Sequence, residues 1–197
     1  MKKHIHQLIV IASIAVAAAG CASAPSRFYT LNSTATANTN GLPAASYSVA
    51  IGPVTVPAVV DHAQFTVQVE PNRVKLEEFN RWAEPLNQNI ASVVAGDLAA
   101  LLGTSQVAAG PLANFLPDYS VSIRIQRFDT VPGQSVLVEA LWVIHKTAGG
   151  ASQSGHTIAS ETVTNSSFDA LAAAHSRALA KVSADIAAVI RSQADAR

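Results

Sequence analysis

Tyr119-Ser120-Val121-Ser122-Ile123-Arg124-Ile125-Gln126 alternates apolar and polar side chains without a break. A period of two predicts a strand with one buried face. Pro132-Gly133 turns the chain, and Val136 to Ile144 (VLVEALWVI) follows, apolar on both faces as a central strand is. Gly149-Gly150 turns it again, and His156 to Val163 is expected as the third strand of an antiparallel meander. Helical patterns flank this meander. From Glu84 to Leu102, the residues Leu86, Ile90, Val93, Val94, Leu98, Leu101 and Leu102 recur at helical spacing. Pro85 suits the first turn and Gly103 a left-handed C-terminal cap. A second helix is expected from about Ser166 to Ser192, with Asp169 as a capping-box partner and a stripe from Leu171 through Leu179 and Ile186 to Ile190.

Upstream, Arg27 to Leu31 (RFYTL), Tyr47 to Val56, Phe65 to Val69 and Val74 to Phe79 read as four further strands. Gly52-Pro53 marks a bulge or an edge within the second of them. Asn32 to Ser46 reads as a polar, low-complexity loop. Helices with one apolar face and strands with one buried side predict an α/β (α+β) fold. Its form is a two-layer sandwich, a mixed and largely antiparallel sheet carrying both long helices on one face.

The N-terminal segment decides compartment. Lys2 and Lys3 precede an uncharged run from Leu8 to Ala19, and Ala18-Ala19-Gly20-Cys21 follows. A dozen apolar residues fall short of the roughly 20 that span a bilayer, and fit the hydrophobic region of a signal peptide. An ordinary secretory signal would leave the position of the one cysteine unexplained. Small residues before a lone cysteine resemble the lipobox of secreted bacterial lipoproteins, although Ala18 stands where Leu is commoner. The resemblance implies a diacylglycerol thioether on Cys21, cleavage before it, and a fatty acyl group such as palmitate on the new N-terminus. Residues 1–20 are then the signal peptide, 21–26 the lipidated cysteine and a short tether, 27–192 the domain and 193–197 a tail. Ala22 to Ser26 reach roughly 17 Å at about 3.4 Å per residue, which holds the domain near the bilayer. Ala22 in place of Asp implies, by resemblance to enterobacterial sorting, an anchor in the outer membrane on its periplasmic face.

The whole chain has 13 basic and 13 acidic side chains; without Lys2 and Lys3 the mature chain is left at a formal −2. No basic stripe exists, so nucleic acid is not expected as a partner, and anionic headgroups gain no polybasic attraction, which leaves that work to the acyl anchor. Charged residues make up 13%, against about 25% in typical soluble domains. Such a neutral surface is cheap to desolvate and suits protein contacts; an Ala-rich compositional bias accounts for it equally well. With Cys21 acylated no thiol remains for disulfide, metal or nucleophilic chemistry.

No catalytic or metal grouping emerges from the spacing. His62, His145, His156 and His175 lack metal-ligand spacing on a common helix, though His145 and His156 could face each other across a hairpin. No nucleophile elbow or phosphate-cradling loop is present. Glu77 and Glu78 point to opposite faces of a strand. His175 and Ser176 are helix neighbours that do not face each other, which favours a structural role at the helix–sheet boundary. Trp82 and Trp142 read as core or edge anchors. Catalytic residues, metal and cofactor are all expected to be none, and a binding or scaffolding role is expected in place of an enzyme.

Four segments together resemble the ABC-type transport auxiliary lipoprotein family, also described as membrane integrity-associated transporter subunits. They are Phe28-Tyr29-Thr30-Leu31, Ala50-Ile51-Gly52-Pro53-Val54 with Val56-Pro57, Asn80-Arg81-Trp82-Ala83-Glu84-Pro85-Leu86, and Ala174-His175-Ser176-Arg177-Ala178-Leu179. The heptapeptide from Asn80 is the most specific. Val60-Asp61-His62 departs from the family's Leu-Asp-Arg, and a partner contact there would differ in specificity. The resemblance implies an auxiliary subunit of an MCE/ABC-type lipid transport system that maintains membrane integrity by docking. The implied partners are an MCE-domain protein bridging the periplasm, its inner-membrane permease, the membrane itself, and a second copy of the chain. Asp61, His62, Arg81 and Trp82 are the candidate interface, and a lipid carried in the domain's own pocket is the alternative function.

Overall fold

The computed structural model describes residues 24–37, 44–149 and 152–195. The expected leader, Cys21 and the end of the expected tail lie outside them. Described in chain order, the elements are β1 (Arg27–Tyr29), β2 (Val49–Thr55), β3 (Gln64–Glu70), β4 (Arg73–Trp82), α1 (Leu86–Leu102), β5 (Val107–Ala109), β6 (Tyr119–Val131), β7 (Ser135–Lys146), β8 (Gln153–Thr162) and α2 (Phe168–Asp195). Together they make the expected α+β architecture, with the strands divided between two mixed sheets. The larger runs β5-β2-β6-β7-β8 and the smaller β1-β4-β3. The meander β6-β7-β8 is antiparallel, whereas β2 runs parallel to both β5 and β6. In the smaller sheet β3 and β4 form an antiparallel hairpin and β1 joins β4 in parallel.

Alternation builds the core. Tyr119, Val121, Ile123 and Ile125 of β6 are buried, as are Val136, Val138, Ala140, Trp142 and Ile144 of β7. A register shift between Ile125 and Arg127 resets the phase, so that Phe128 and Thr130 also point inward. α1 covers β2 and β5, α2 covers β7 and β8, and the helices pack side by side. Their stripes are buried from Leu86 to Leu102 and from Leu171 to Ile190. Burying each large aliphatic side chain contributes about 1.5–3 kcal/mol.

Some expectations needed adjustment. β7 is central, but only one of its apolar faces is covered; Leu141 and Val143 stay exposed on the other. β4 is longer than read and takes in Asn80-Arg81-Trp82, because β1 supplies a second ladder there. The cap of α2 is Ser167, whose Oγ accepts from Ala170 N–H at 3.3 Å, and the helix runs on to Asp195 into the expected tail. Gly103 takes the expected left-handed conformation, φ 68° and ψ 34°.

The start of the supposed loop at Asn32 is tied down. Asp97 of α1 is fully buried and its Oδ1 accepts from Ser33 Oγ (2.7 Å), Thr34 N–H (2.9 Å) and Ala35 N–H (3.0 Å). Its Oδ2 accepts from Ser183 Oγ of α2 at 3.0 Å. Asn89 Oδ1 accepts from Leu31 N–H at 2.7 Å, and Ser176 Oγ from Asn32 N–H at 3.1 Å. The segment from Thr30 to Ala35 is thus a strap tied to both helices.

Candidate functional site

The β4–α1 junction and the turn before β3 enclose a cleft of about 370 Å³. Asp61, His62 and Ala63 form one wall; Trp82, Ala83, Glu84, Pro85 and Leu86 form the other. A backbone bond fixes the two walls together, with Trp82 N–H donating to Ala63 O (2.7 Å), and Ala83 N–H ties the second wall to β1 at Tyr29 O (2.8 Å). Pro85 suits the entry to α1, because an absent N–H costs nothing in a first turn.

Trp82 is buried, its ring stacked on Phe65 at 4.3 Å between centroids and edge-on to Phe128 at 6.2 Å. It is a core anchor that also presents an edge to the cleft. His62 Nε2 lies 2.9 Å from Val59 O and 3.3 Å from Thr66 Oγ1, which holds the ring in place. Asp61 and Glu84 are exposed and give the rim two acidic groups. Glu84 Oε1 accepts from Asn89 Nδ2 at 2.7 Å, so the same asparagine that receives the strap also orients the rim. A pairing of Arg81 with Glu84 does not form. Arg81 is a strand residue opposite Phe28 and Gln64, and helical i, i+3 spacing does not apply to it. Three of the four candidate interface residues therefore meet in one cleft, and Arg81 stands outside its lining.

A second cavity is larger, and the residues that line it were not singled out as a site in the sequence. It measures about 640 Å³, within the range of small-molecule sites. Ile51, Pro53, Val54, Ala91, Leu112 and Phe115 make its walls apolar, with Asn87 and Gln88 beside them. The only signal was Leu112 and Phe115 in a connector without periodicity.

Other candidates are separated by the structure. His175 is fully buried, its ring stacked on Phe128 at 3.8 Å and its Nε2 2.8 Å from Thr130 Oγ1. Burial holds its pKa down to about 3, so the imidazole is neutral. Ser176 Oγ donates to Ala172 O at 3.0 Å, turned away from His175. His156 pairs with Glu139 (2.9 Å) and His145 with Ser152 (3.1 Å), so the two do not converge. Glu77 is engaged by Lys75 at 2.8 Å. Trp142 Nε1–H donates to Thr157 Oγ1 (3.1 Å), which in turn donates to Asp185 Oδ2 (2.7 Å). Among the described residues no group of three metal-ligating side chains occurs, and no helix is long and apolar enough to cross a membrane.

The family described as the ABC-type transport auxiliary lipoprotein component matches residues 29–187. The chain belongs to that family. This auxiliary transport lipoprotein resembles a crystal structure of an uncharacterized protein with 18% identity and a TM-score of 0.69, over 85% of this chain and 99% of the other. A DUF330 protein of Xanthomonas campestris matches equally well, with 19% identity and a TM-score of 0.69 over 86% and 99% of the two chains. At those identities the likeness shows the fold alone. A PelC dodecamer of Paraburkholderia phytofirmans, at 18% identity and a TM-score of 0.43 over 71% and 90%, is too distant to carry an argument. No curated protein matches the chain. Membership makes the protein a membrane-anchored lipoprotein and an accessory of an ABC-type transporter.

Proposed function

We propose that this lipoprotein is anchored through Cys21 at the periplasmic face of the outer membrane and serves there as the docking subunit of an MCE/ABC-type lipid transport system. On this reading residues 1–20 are removed and residues 27–192 act as the docking domain. The cleft between Asp61-His62 and Trp82-Glu84 carries it. It has a rigid floor, because Trp82 is locked against Phe65, and an acidic rim open to a partner. A preorganised site loses little entropy when a partner binds. A short tether raises the effective concentration of that site for a bridge arriving at the membrane.

Crosslinking of the acylated chain in envelope extracts is expected to recover an MCE-domain protein. Asp61→Lys combined with Glu84→Lys should cut that recovery about tenfold, the equivalent of about 1.4 kcal/mol. Failure to recover any MCE-domain protein from the wild type would refute the docking role.

The apolar cavity between β2 and α1 favours a second reading, in which the domain carries lipid itself. Phospholipid copurifying with a Cys21→Ala chain, and lost on filling the cavity with Ala91→Trp, would support it. A ligand-free mass spectrum would count against it.

A further inference from the structure

The β3–β4 hairpin carries a set of apolar side chains that the fold leaves uncovered. Val74 and Leu76 are each 49% exposed and Val69 is 45% exposed, all in its outer half. Phe79 further down β4 and Phe28 on β1, opposite Arg81, are also exposed, Phe28 at 65%. Val74 and Leu76 share one face of β4 by alternation. At the base of the hairpin Phe65 and Trp82 are buried, so the outer half projects from a rigid root.

β1 shows from which side the tether approaches them. It runs parallel to β4, with Arg27 opposite Asn80 and Tyr29 opposite Trp82. The chain before Arg27 therefore arrives from the side of Phe79 and, beyond it, the hairpin turn. Six residue steps separate Cys21 from Arg27, a reach of at most about 20 Å. From Asn80 back to Arg73 is seven residues, about 23 Å of strand. The reach of the tether thus matches the length of the projecting hairpin.

We propose that the outer half of the β3–β4 hairpin is a membrane-contact wedge, its apolar side chains inserted into the lipid leaflet that holds the acyl anchor. This rests on acylation of Cys21. Charge is not the attraction: Arg73 is paired with Glu70 and Lys75 with Glu77, and Glu78 adds a further negative group. The wedge binds through apolar area, in the manner of a second anchor beside the acyl chains. It also orients the domain. The cleft beside the hairpin lies along Arg127 to Thr130 of β6, while Leu116 precedes Tyr119 at the other end of that strand. Nine residues of strand place these ends about 30 Å apart.

Acylation consumes the native thiol, so a Leu76→Cys substitution supplies the one free thiol of the acylated protein. The test labels it with an environment-sensitive fluorophore and reconstitutes the acylated protein into phosphatidylcholine vesicles with brominated acyl chains. The label at Leu76 should shift to the blue and lose emission to the bromine. The same label at Leu116, 88% exposed, should do neither. One free thiol per chain with a Leu76 label as wet and unquenched as that at Leu116 would overturn the wedge alone. Two free thiols per chain would show that Cys21 is not acylated and would overturn the anchor and the wedge together.

Discussion

His175 lies with its ring 6° from parallel to Phe128, in a site that excludes water. Desolvation penalises its charged form and holds the pKa near 3. In the unfolded chain the same group titrates near 6.5. Below that pH the unfolded state binds a proton that the folded state refuses, so stability falls as pH drops from about 6.5 towards about 3. At pH 4.5 the loss from this residue is about 3 kcal/mol. A His175→Gln variant should be less stable at neutral pH yet lose about 3 kcal/mol less than wild type between pH 7 and 4.5 in urea unfolding. Equal acid losses in the two proteins would contradict the assignment. This structural role was legible because adjacent helix residues cannot form a dyad. The Thr130 partner was not, since a contact spanning 45 residues depends on how the sheet and helix dock.

Among the elements, the longest periodic ones were readable. β6 and β7 alternate, and α1 and α2 carry stripes that tertiary packing then buries. β5 was missed because three residues are too few to show a period. The division into two sheets was missed because pairing partners are chosen across long sequence separations, with β1 joining β4 over fifty residues away. The strap was missed for a similar reason: its polar residues read as a loop, and the buried carboxylate that orders them lies in α1. Asp97→Ala would leave the Thr34 and Ala35 amides without their acceptor. The expected cost is about 3 kcal/mol in urea unfolding, with faster hydrogen exchange at those two amides. A cost below about 0.5 kcal/mol would show that the strap is not held by Asp97.

For the molecule as a whole, the candidate site was half legible. Asp61, His62 and Trp82 do share a cleft, because the turn before β3 and the end of β4 are backbone-paired. Arg81 was grouped with them because it belongs to the same family heptapeptide, but as a strand residue opposite Phe28 and Gln64 it lies outside the cleft lining. Glu84 joins the rim through Asn89, a link that spacing cannot show. The large cavity and the bare hairpin arise from what the fold leaves uncovered, and no local pattern reports that. The proposed wedge puts the outer half of the β3–β4 hairpin at the membrane end and the Leu112–Leu116 connector at the far end. All of this depends on a covalent acyl anchor at Cys21. Metabolic labelling with radioactive palmitate, on wild type and Cys21→Ser, tests it most directly. The account predicts label on the wild type alone, and release of Cys21→Ser from the membrane pellet by alkaline extraction. An unlabelled wild type, or a Cys21→Ser chain retained as firmly as wild type, would contradict it.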